Sequence, residues 1–192
     1  MRNYHDTEWG FPTSDDRRLF EKISLEGFQS GLSWSTILNK REDFRRVFRD
    51  FDIARISTFD EDDIRRICSD STIVRHQGKI RSVVNNARRY SELVTTEGSL
   101  AAYLWGFEPT AAPEMGSTQC AESKLLAKNL KSGGWTFVGP TTMYALMQSM
   151  GMVNDHDHGC PIHKSVAVAR QNFVRPTDST MQSTRSMKYL RE

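Results

Sequence analysis

The chain has 192 residues, of which 38% are hydrophobic and 26% charged, and its mean hydropathy is −0.57. This length suffices for one domain with a hydrophobic core. No apolar run approaches the ~20 residues that span a bilayer, and the first residues lack the apolar core of a secretory signal. The three cysteines are odd in number and widely spaced, which argues against a disulfide framework. We therefore predict a cytoplasmic protein without a membrane partner.

The net charge of +2 does not by itself indicate a nucleic-acid partner, but the charges are unevenly distributed. Residues 164–192 carry six Lys or Arg against two acids, whereas residues 1–163 are slightly acidic. Within that body, residues 72–90 contain no acid and five basic residues: Arg75, Lys79, Arg81, Arg88 and Arg89. Such a basic stripe suits contact with a phosphate backbone, and it suits a solvated helix face equally well.

Apolar residues recur at helical spacing along most of the chain, and no alternating run is strong enough for a central strand. The sequence therefore predicts an all-α fold. The predicted helices cover residues 15–28, 33–48, a short stretch ending near 68, 79–94, 99–105, 122–131 and 140–150. Ser14 is the predicted N-cap of the first helix, and Thr58 with Glu61 is predicted to form a capping box.

The composition divides the chain into a domain and a tail. Residues 1–163 contain neither an internal repeat nor a low-complexity block, and we predict that they form one domain. Residues 108–115 contain two prolines and are predicted to form a loop between helices. Residues 164–192 are rich in Ser, Thr and Arg with little periodicity, so they are predicted to form a basic, flexible tail.

The turn between the last two predicted helices has the pattern of a helical hairpin. Gly133 and Gly134 supply the backbone freedom that a helix end needs, and Pro140 suits the first turn of the next helix. The unpaired amides of Thr141 and Thr142 at the positive helix end would then form a seat for a phosphate. Three lysines of the incoming helix are predicted to flank it: Lys124, Lys128 and Lys131. A helix-hairpin-helix grips one DNA strand without reading its sequence, but glycines in many hairpins serve packing alone.

A polar stretch near the end of the body holds residues of metal-ligand type. His156 and Cys160 stand four positions apart, and imidazole and thiolate are donors that zinc prefers. His5, near the start of the chain, is the obvious further donor. The alternative is a polar loop with a free cysteine.

The stretch from Leu25 to Trp34 places one carboxylate, that of Glu26, among apolar and small residues. Burying an ionised carboxylate is costly unless something binds it, so such a position tends to be functional. Together with Tyr4, Trp9 and Trp34, it predicts a pocket for a flat, electron-poor or cationic ring. The alternative is that the aromatic residues lie in the core and Glu26 lies on the surface.

Several short motifs follow one another along the chain. They are Tyr-His-Asp-Thr-Glu-Trp-Gly (4–10), Leu-Glu-Gly-Phe-Gln-Ser-Gly-Leu-Ser-Trp (25–34), Ile-Val-Arg-His-Gln-Gly-Lys-Ile (73–80), Asn-Asn-Ala-Arg (85–88), Phe-Val-Gly (137–139) and Gly-Met-Val-Asn-Asp-His (151–156). In this order, they resemble the motifs of the DNA-3-methyladenine glycosylase I family of bacterial alkylation-repair enzymes. The resemblance implies the helix-hairpin-helix glycosylase fold. It also implies an enzyme that hydrolyses the N-glycosidic bond of 3-methyladenine in double-stranded DNA.

The resemblance also implies roles for individual residues of the base pocket. Glu26 matches the catalytic pocket carboxylate, which hydrogen-bonds the damaged base. Tyr4 and Trp34 match the aromatic residues that sandwich the base, and Trp9 helps to shape the pocket wall.

Further roles concern DNA and metal binding. Three residues fall where the family pushes into the duplex beside the extruded nucleotide: Gln29, Gly31 and Leu32. Three residues of the hairpin are expected to hold the DNA strand: Gly139, Thr141 and Thr142. Three residues match family ligands to a structural zinc that ties the two termini together: His5, His156 and Cys160.

The sequence departs from the family at its start. Members usually have a Cys-x-Trp segment about a dozen residues before the Tyr-His-Asp motif, whereas here Met1 stands three residues before Tyr4. The fourth zinc ligand and one pocket Trp are therefore missing from this sequence. Either the start was misassigned, or the protein was truncated, or three family ligands hold zinc together with water, His158 or His163.

The resemblance implies a monofunctional enzyme, because the pocket motifs contain no lysine that would attack the sugar and cleave the strand. The alternative is a non-catalytic helix-hairpin-helix DNA-binding protein that lost excision through its shortened N-terminus. The retained Glu26, Tyr4 and Trp34 favour the enzyme. We expect a monomer, and we expect Asp155 to serve as a capping residue or to orient His156 rather than to take part in catalysis.

Overall fold

The computed structural model describes residues 1–177, which form eleven α-helices and one short 3-10 turn (Arg49–Phe51). The helices are α1 (Arg2–Thr7), α2 (Asp16–Gln29), α3 (Trp34–Asn39), α4 (Arg41–Val47), α5 (Ile53–Ser57), α6 (Glu61–Ser69), α7 (Gln77–Glu97), α8 (Leu100–Trp105), α9 (Ala121–Ser132), α10 (Pro140–Ser149) and α11 (Pro161–Asn172). These residues contain no strand, which confirms the predicted all-α class. Across the same range, no helix combines the length and the apolar character that spanning a bilayer requires.

Helix α2 runs through the centre of the domain. Ten consecutive residues, 19–28, are buried, and burial on all sides is typical of a helix inside a core. It contacts α3, α7, α8 and α10. Because the buried stretch includes Lys22 and Glu26 among its apolar residues, the helix carries charged groups into the interior. The N-cap of α2 is Asp15, whose carboxylate accepts from the amide of Arg18 at 3.0 Å, and not the predicted Ser14.

Two other boundary predictions were wrong for local reasons. The predicted helix 33–48 is two helices, because the chain leaves helical geometry at Lys40 between α3 and α4. The capping box before α6 is formed by Asp60 and Asp63, whose side chains each accept from the other residue's backbone amide. The hydroxyl of Thr58 instead donates to the carbonyl of Arg55, so it is not available as a cap.

The predicted boundary between domain and tail falls inside helix α11. Val166 of this helix is fully buried, and the guanidinium groups of Arg170 and Arg175 both donate to the carboxylate of Glu108. Phe173 packs on Trp105, with ring centroids 4.5 Å apart. The segment 164–177 is therefore docked on the domain and is not a flexible tail. The remainder of the predicted tail, 178–192, lies outside the described residues.

Two arginines of the basic stripe, residues 72–90, make contacts with neighbouring segments of the protein. Arg81 forms a bidentate ion pair with Glu61, with both contacts at 2.6 Å. Arg88 donates to the backbone carbonyls of Ser57 and Phe59, at 3.0 and 2.6 Å. These two guanidinium groups therefore tie α7 to its neighbours, and phosphate binding by the stripe stays a prediction.

Candidate active site and DNA-binding surface

A cavity of about 330 Å³ lies where α1, α2, α3 and α10 meet. Residues from four parts of the sequence line it, and they include the four that were predicted to form a base pocket: Tyr4, Trp9, Glu26 and Trp34. Gln29, at the end of α2, lines it as well. Two residues of α10, Ala145 and Gln148, close the opposite side. These two were missed because nothing in the local sequence of α10 indicates which of its faces meets α2.

The carboxylate of Glu26 is buried beside this cavity. Glu26 is 5% exposed, and its burial raises the pKa of the carboxyl group well above that of an ordinary glutamate. Two contacts oppose that rise, namely the positive charge of Lys22 and a hydrogen bond with the side chain of Ser149 on α10. The surface alternative for Glu26 is therefore wrong, and the pocket contains a desolvated carboxylate of the kind that accepts hydrogen bonds from a ligand.

The aromatic rings form adjoining walls rather than two sides of a sandwich. The ring centroids of Tyr4 and Trp34 are 5.4 Å apart, and the ring planes are tilted by 44°. A planar base between two parallel rings needs centroids about 7 Å apart, because stacked atoms stay about 3.5 Å from each other. In this conformation a base can lie against both rings but not between them, which corrects the expected arrangement. The indole Nε1 of Trp34 is buried and has no hydrogen-bond partner among the described residues.

Lys22 is a buried charged residue of the pocket that the sequence analysis missed. It is 6% exposed, and its ammonium donates to the phenol oxygen of Tyr4 at 2.7 Å. Burial lowers the pKa of Lys22, while the carboxylates of Glu26 and Glu8 favour its charged form. Its position four residues before Glu26, on the same face of α2, was a signal for this contact. Lys22 does not line the cavity itself.

Asp155 does not have the second of the two roles that were predicted for it. Its carboxylate accepts from Nε2 of Gln148 at 2.5 Å and from the hydroxyl of Tyr144 at 3.4 Å. The ring of His156 is instead held by the backbone carbonyl of Trp9, 3.0 Å from Nε2. Asp155 therefore positions Gln148, which lines the cavity, and it does not orient His156.

The three predicted metal ligands lie together although they are far apart in sequence. Sγ of Cys160 is 3.8 Å from Nε2 of His5 and 3.7 Å from Nδ1 of His156, and all three ligand atoms lie within 4.8 Å of one another. Donors bound to one tetrahedral zinc lie roughly 3.3–3.6 Å apart, from bond lengths of about 2.0–2.3 Å. The cluster is therefore close to the spacing that zinc requires.

In both histidines, the ring nitrogen that does not face Cys160 lies against an acceptor, which fixes the orientation of the ring. Nδ1 of His5 is 2.8 Å from the carboxylate of Asp6, and Nε2 of His156 is 3.0 Å from the carbonyl of Trp9. Each ring thereby directs its other nitrogen at Cys160, as metal-binding histidines usually do. Burial also lowers the pKa of His156, which favours the neutral form that binds metals. The residues present fit a zinc ion with respect to donor type and orientation.

A fourth protein ligand is not part of this cluster. Within residues 1–177, no further His, Cys, Asp or Glu places a ligand atom together with the other three. His158 and His163 lie against each other, with ring centroids 4.9 Å apart. Neither of the two histidines that the sequence analysis offered as substitutes therefore has a ligand atom in the group.

The turn after α2 borders the cavity and faces outward. Gln29 lines the cavity, and the two residues that follow Ser30, namely Gly31 and Leu32, are exposed, with Leu32 39% exposed. Gly31 has a φ of +79°, which a side chain rarely permits. The ammonium of Lys79 donates to the carbonyls of Phe28 and Ser30 and so fixes the turn from α7. A rigid apolar tip beside the pocket suits insertion next to an extruded nucleotide.

The predicted hairpin is formed by α9, the turn after it and α10. Gly134 has a φ of +78°, and Pro140 is the first residue of α10, as predicted. Gly139 is the N-cap and provides no side-chain cap, so the amides of Thr141 and Thr142 start the helix without one. A side chain at Gly139 would meet nothing closer than 3.9 Å, which leaves this helix end open to an approaching phosphate.

The motif Asn85-Asn86 holds the hairpin turn from α7. Nδ2 of Asn85 donates to the carbonyl of Gly134 at 2.8 Å. The amide of Asn86 is 3% exposed and makes two bonds with the backbone of Thr136, donating to its carbonyl at 3.0 Å and accepting from its N–H at 2.9 Å. The sequence alone gave no role for this motif, and the structure shows that it positions the turn.

An all-helical domain in which a helical hairpin flanks an aromatic pocket with a buried carboxylate defines a DNA glycosylase of the helix-hairpin-helix class. The sequence model of the family described as methyladenine glycosylase matches residues 1–164. The chain therefore belongs to the methyladenine glycosylase family.

Relatives of known name agree with this assignment. The chain is 42% identical over 164 residues to DNA-3-methyladenine glycosylase 1 of Escherichia coli (strain K12). The matched region covers 82% of this chain and 88% of that protein. It is 42% identical over 170 residues to DNA-3-methyladenine glycosylase of Haemophilus influenzae, covering 85% and 92% respectively. A crystal structure of a variant of 3-methyladenine DNA glycosylase I in complex with 3-methyladenine has a TM-score of 0.80 at 31% identity, covering 84% of this chain and 91% of that one.

Proposed function

We propose that this chain excises 3-methyladenine from alkylated double-stranded DNA by hydrolysing the N-glycosidic bond, and that it leaves the sugar–phosphate strand intact. The observation that carries the proposal is the buried carboxylate of Glu26 beside the rings of Tyr4 and Trp34 in one cavity. Related proteins are named for this activity, and a related structure is a complex with 3-methyladenine.

The chemistry of the substrate suits this pocket. Methylation at N3 gives the adenine ring a positive charge, which weakens its bond to the sugar. A cationic ring over aromatic faces gains ~0.5–2 kcal/mol. The ionised carboxylate of Glu26 adds charge-assisted hydrogen bonds to the N–H groups of the base. Unmethylated adenine brings no charge to balance Glu26, so the same pocket disfavours it.

The bond changes in the proposed reaction require little acid or base catalysis from the protein. The C1′–N9 bond breaks, its electron pair goes to the base, and the base leaves as a neutral molecule. Water adds at C1′ and releases its proton to solvent. Because the leaving group is already activated, a strong general acid is unnecessary, and binding of the extruded cation provides the selectivity.

The absence of strand cleavage remains part of the proposal. A lyase step needs an amine that attacks C1′ of the sugar. The ammonium of Lys22 is bound to the phenol of Tyr4, and among the described residues no lysine lines the cavity.

Two exposed elements support binding of a duplex by one protein molecule. The turn at Gln29, Gly31 and Leu32 borders the cavity, where an extruded base must enter, and flipping that base costs a few kcal/mol. The open helix end at Thr141 and Thr142 suits a backbone phosphate. A monomer in the cytoplasm, as predicted from the sequence, completes this proposal.

The alternative is a binding protein without excision activity. It does not account for the burial of Glu26 or for the alignment of Tyr4 and Trp34 along one cavity, because gripping a DNA strand requires neither.

Release of free base tests the proposed function directly. Duplex DNA methylated with a radiolabelled alkylating agent would be incubated with the chain, and the released bases separated by chromatography. We expect 3-methyladenine in the soluble fraction, 7-methylguanine retained in the DNA and no strand breaks before alkaline treatment. If no base is released although the chain binds the duplex, the non-catalytic alternative is correct.

We also propose that His5, His156 and Cys160 bind a structural zinc ion. A bound zinc would cross-link α1 to the segment before α11. Because Tyr4 and His5 are consecutive residues of α1, fixing His5 also fixes the aromatic wall of the pocket. The three ligands supply stability and orientation in this proposal, and no step of the excision reaction passes through the metal.

A further inference from the structure

We propose that Lys22 is a positioning residue for base excision: its ammonium holds Tyr4 by its phenol oxygen and acts as the counter-charge of Glu26. This inference rests on the proposed function and adds a residue to its machinery. Lys22 does not touch the substrate in this proposal, because it acts through the two residues that do.

The first observation is the geometry of the ammonium group. Nζ of Lys22 donates to the phenol oxygen of Tyr4 at 2.7 Å. It lies 4.1 Å from the centroid of the Tyr4 ring and 5.0 Å from that of the Trp34 ring. One buried cation thus contacts both aromatic walls, and such contacts are stronger where water is excluded. Because the ammonium donates to the phenol oxygen, the hydroxyl proton of Tyr4 is directed elsewhere.

The second observation is the row of charges in which Lys22 stands. Glu26 and Lys22 interact along α2, and Glu8 of the turn after α1 also attracts Lys22. Glu8 in turn accepts a bidentate pair of bonds from Arg41 of α4, at 2.6 and 2.9 Å. The signs alternate along these four residues. A further carboxylate of α2, that of Glu21, acts on Lys22 more weakly.

Groups from the other packed elements do not replace Lys22. The side chain of Ser149, on α10, contacts Glu26 but brings no charge, and the phenol of Tyr4 on α1 is neutral because burial and Glu26 raise its pKa. Lys22 is therefore the cation that acts directly on Glu26 among the groups identified there. Without it, a desolvated carboxyl group retains a proton to higher pH and loses its attraction for a cationic base.

The arrangement explains how an ionised carboxylate is available before the substrate enters. In the empty pocket, Lys22 balances the charge of Glu26 without lining the cavity. When the base enters on the cavity side, its positive charge interacts with the same carboxylate, and Lys22 remains bound to Tyr4 and close to Glu8. The base therefore meets a carboxylate that is already ionised and an aromatic wall that is already oriented.

Two variants of the full chain separate these effects. Lys22→Met removes the charge and the hydrogen bond at similar length, while Lys22→Gln keeps a donor for Tyr4 without the charge. The matched control is Asp16→Asn on the same helix. Asp16 accepts from Tyr90 and from the amides of Leu100 and Ala101, none of which lines the cavity, so its change tests loss of stability. The readouts are single-turnover release of 3-methyladenine over a range of pH, and the melting temperature.

We expect both Lys22 variants to excise about tenfold more slowly near neutral pH, with the acid limb of the rate profile displaced by about one unit to higher pH. At high pH the rate of Lys22→Gln should approach that of the wild type, because Glu26 is ionised again. Asp16→Asn should lower the melting temperature and leave the pH profile in place. Variants of Lys22 that keep the wild-type profile would overturn the inference.

A measurement on the unmodified chain covers the case in which the variants do not fold. With ¹³C at the lysine Cε atoms, free 3-methyladenine is expected to shift one lysine resonance, since Lys22 is the lysine in contact with the cavity rings within residues 1–177. If the base binds and no lysine resonance moves, Lys22 does not sense the pocket and the inference fails. A wild type that releases no 3-methyladenine contradicts the proposed function instead.

Discussion

The hairpin is formed by the backbone of one short segment, whereas the base pocket is formed by side chains from distant segments. The hairpin uses backbone groups, and the residues that shape it, Gly134, Gly139 and Pro140, lie within seven positions of one another. The pocket uses side chains from α1, α2, α3 and α10, which meet only after the helices have packed. A local motif therefore shapes the proposed phosphate site, whereas only the packed core assembles the proposed base pocket.

The two regions also differ in how far their charged and polar groups are exposed to water. At the hairpin, the open end of α10 offers amides at the surface, where water and salt screen their effect. In the pocket, Glu26 and Lys22 are withdrawn from water, so each strongly affects the pKa of the other. Changes in the pocket are therefore expected to alter the rate and its pH dependence, while changes at the hairpin should alter DNA affinity alone.

The largest effect is expected for Glu26→Gln. The amide keeps the size of the side chain but loses the negative charge that balances the cationic base, so excision should fall by roughly 10²–10³-fold. Affinity for duplex DNA that contains an abasic site should stay within about twofold, since the hairpin contacts are untouched. Release of 3-methyladenine and a binding titration measure the two quantities. Unchanged excision would remove Glu26 from the mechanism.

The pH dependence of the excision rate tests whether the charge of Glu26 in the pocket controls the reaction. Burial raises the pKa of Glu26, so excision should decline as the pH falls through a value nearer neutrality than for an exposed glutamate, by about tenfold per pH unit below that value. The raised pKa means that the folded state binds this proton more tightly than the unfolded chain does. The contribution of Glu26 to stability should therefore decrease as the pH rises from the ordinary value to the raised one.

The Glu26→Gln variant is the matched control for that profile. Its residual rate and its melting temperature should both lack the step that Glu26 produces. A wild-type rate that stays constant down to the ordinary glutamate range would show that the buried carboxyl does not need to be ionised.

A smaller effect is expected for Gly139→Asp at the hairpin. The structure has space for a side chain there, and Asp is a favourable N-cap, so the melting temperature should not fall. Its charge opposes a phosphate at the start of α10, and affinity for duplex DNA should drop roughly tenfold at moderate salt. Gly139→Ala, which adds a methyl group without charge, is the control in the same titration. Equal affinity of the two variants would contradict the hairpin assignment.

The smallest effect on chemistry is expected for Cys160→Ser. Loss of one of three clustered donors should reduce zinc content and lower the melting temperature by about 4–8 °C, for a loss of ~2 kcal/mol. Metal analysis and thermal unfolding measure both. Cys120→Ser is the matched control, because Cys120 caps α9 away from the cluster and Ser is a good cap. If Cys160→Ser changes neither quantity, the cluster does not hold a structural metal.

Sequence reasoning was most successful where a local rule applied. The helical periodicity predicted the all-α class, and the glycines and proline of the hairpin predicted where α9 ends and α10 begins. The prediction of the N-cap at Ser14 was wrong because the neighbouring Asp15 forms the capping hydrogen bond instead. The segment 164–177 was misjudged because the ion pairs of Arg170 and Arg175 with Glu108 bridge more than sixty positions.

By itself, the sequence determined the fold class, the family motifs, the four predicted pocket residues and the three cluster residues, because residue type, spacing and order are properties of the chain. The tertiary structure decided that Glu26 is desolvated, that Tyr4 and Trp34 meet at an angle, and that the buried ammonium of Lys22 contacts both rings. It also brought His5 to Cys160. Burial and the distances between distant segments arise only when helices pack, and they set the charges on which recognition of the base depends.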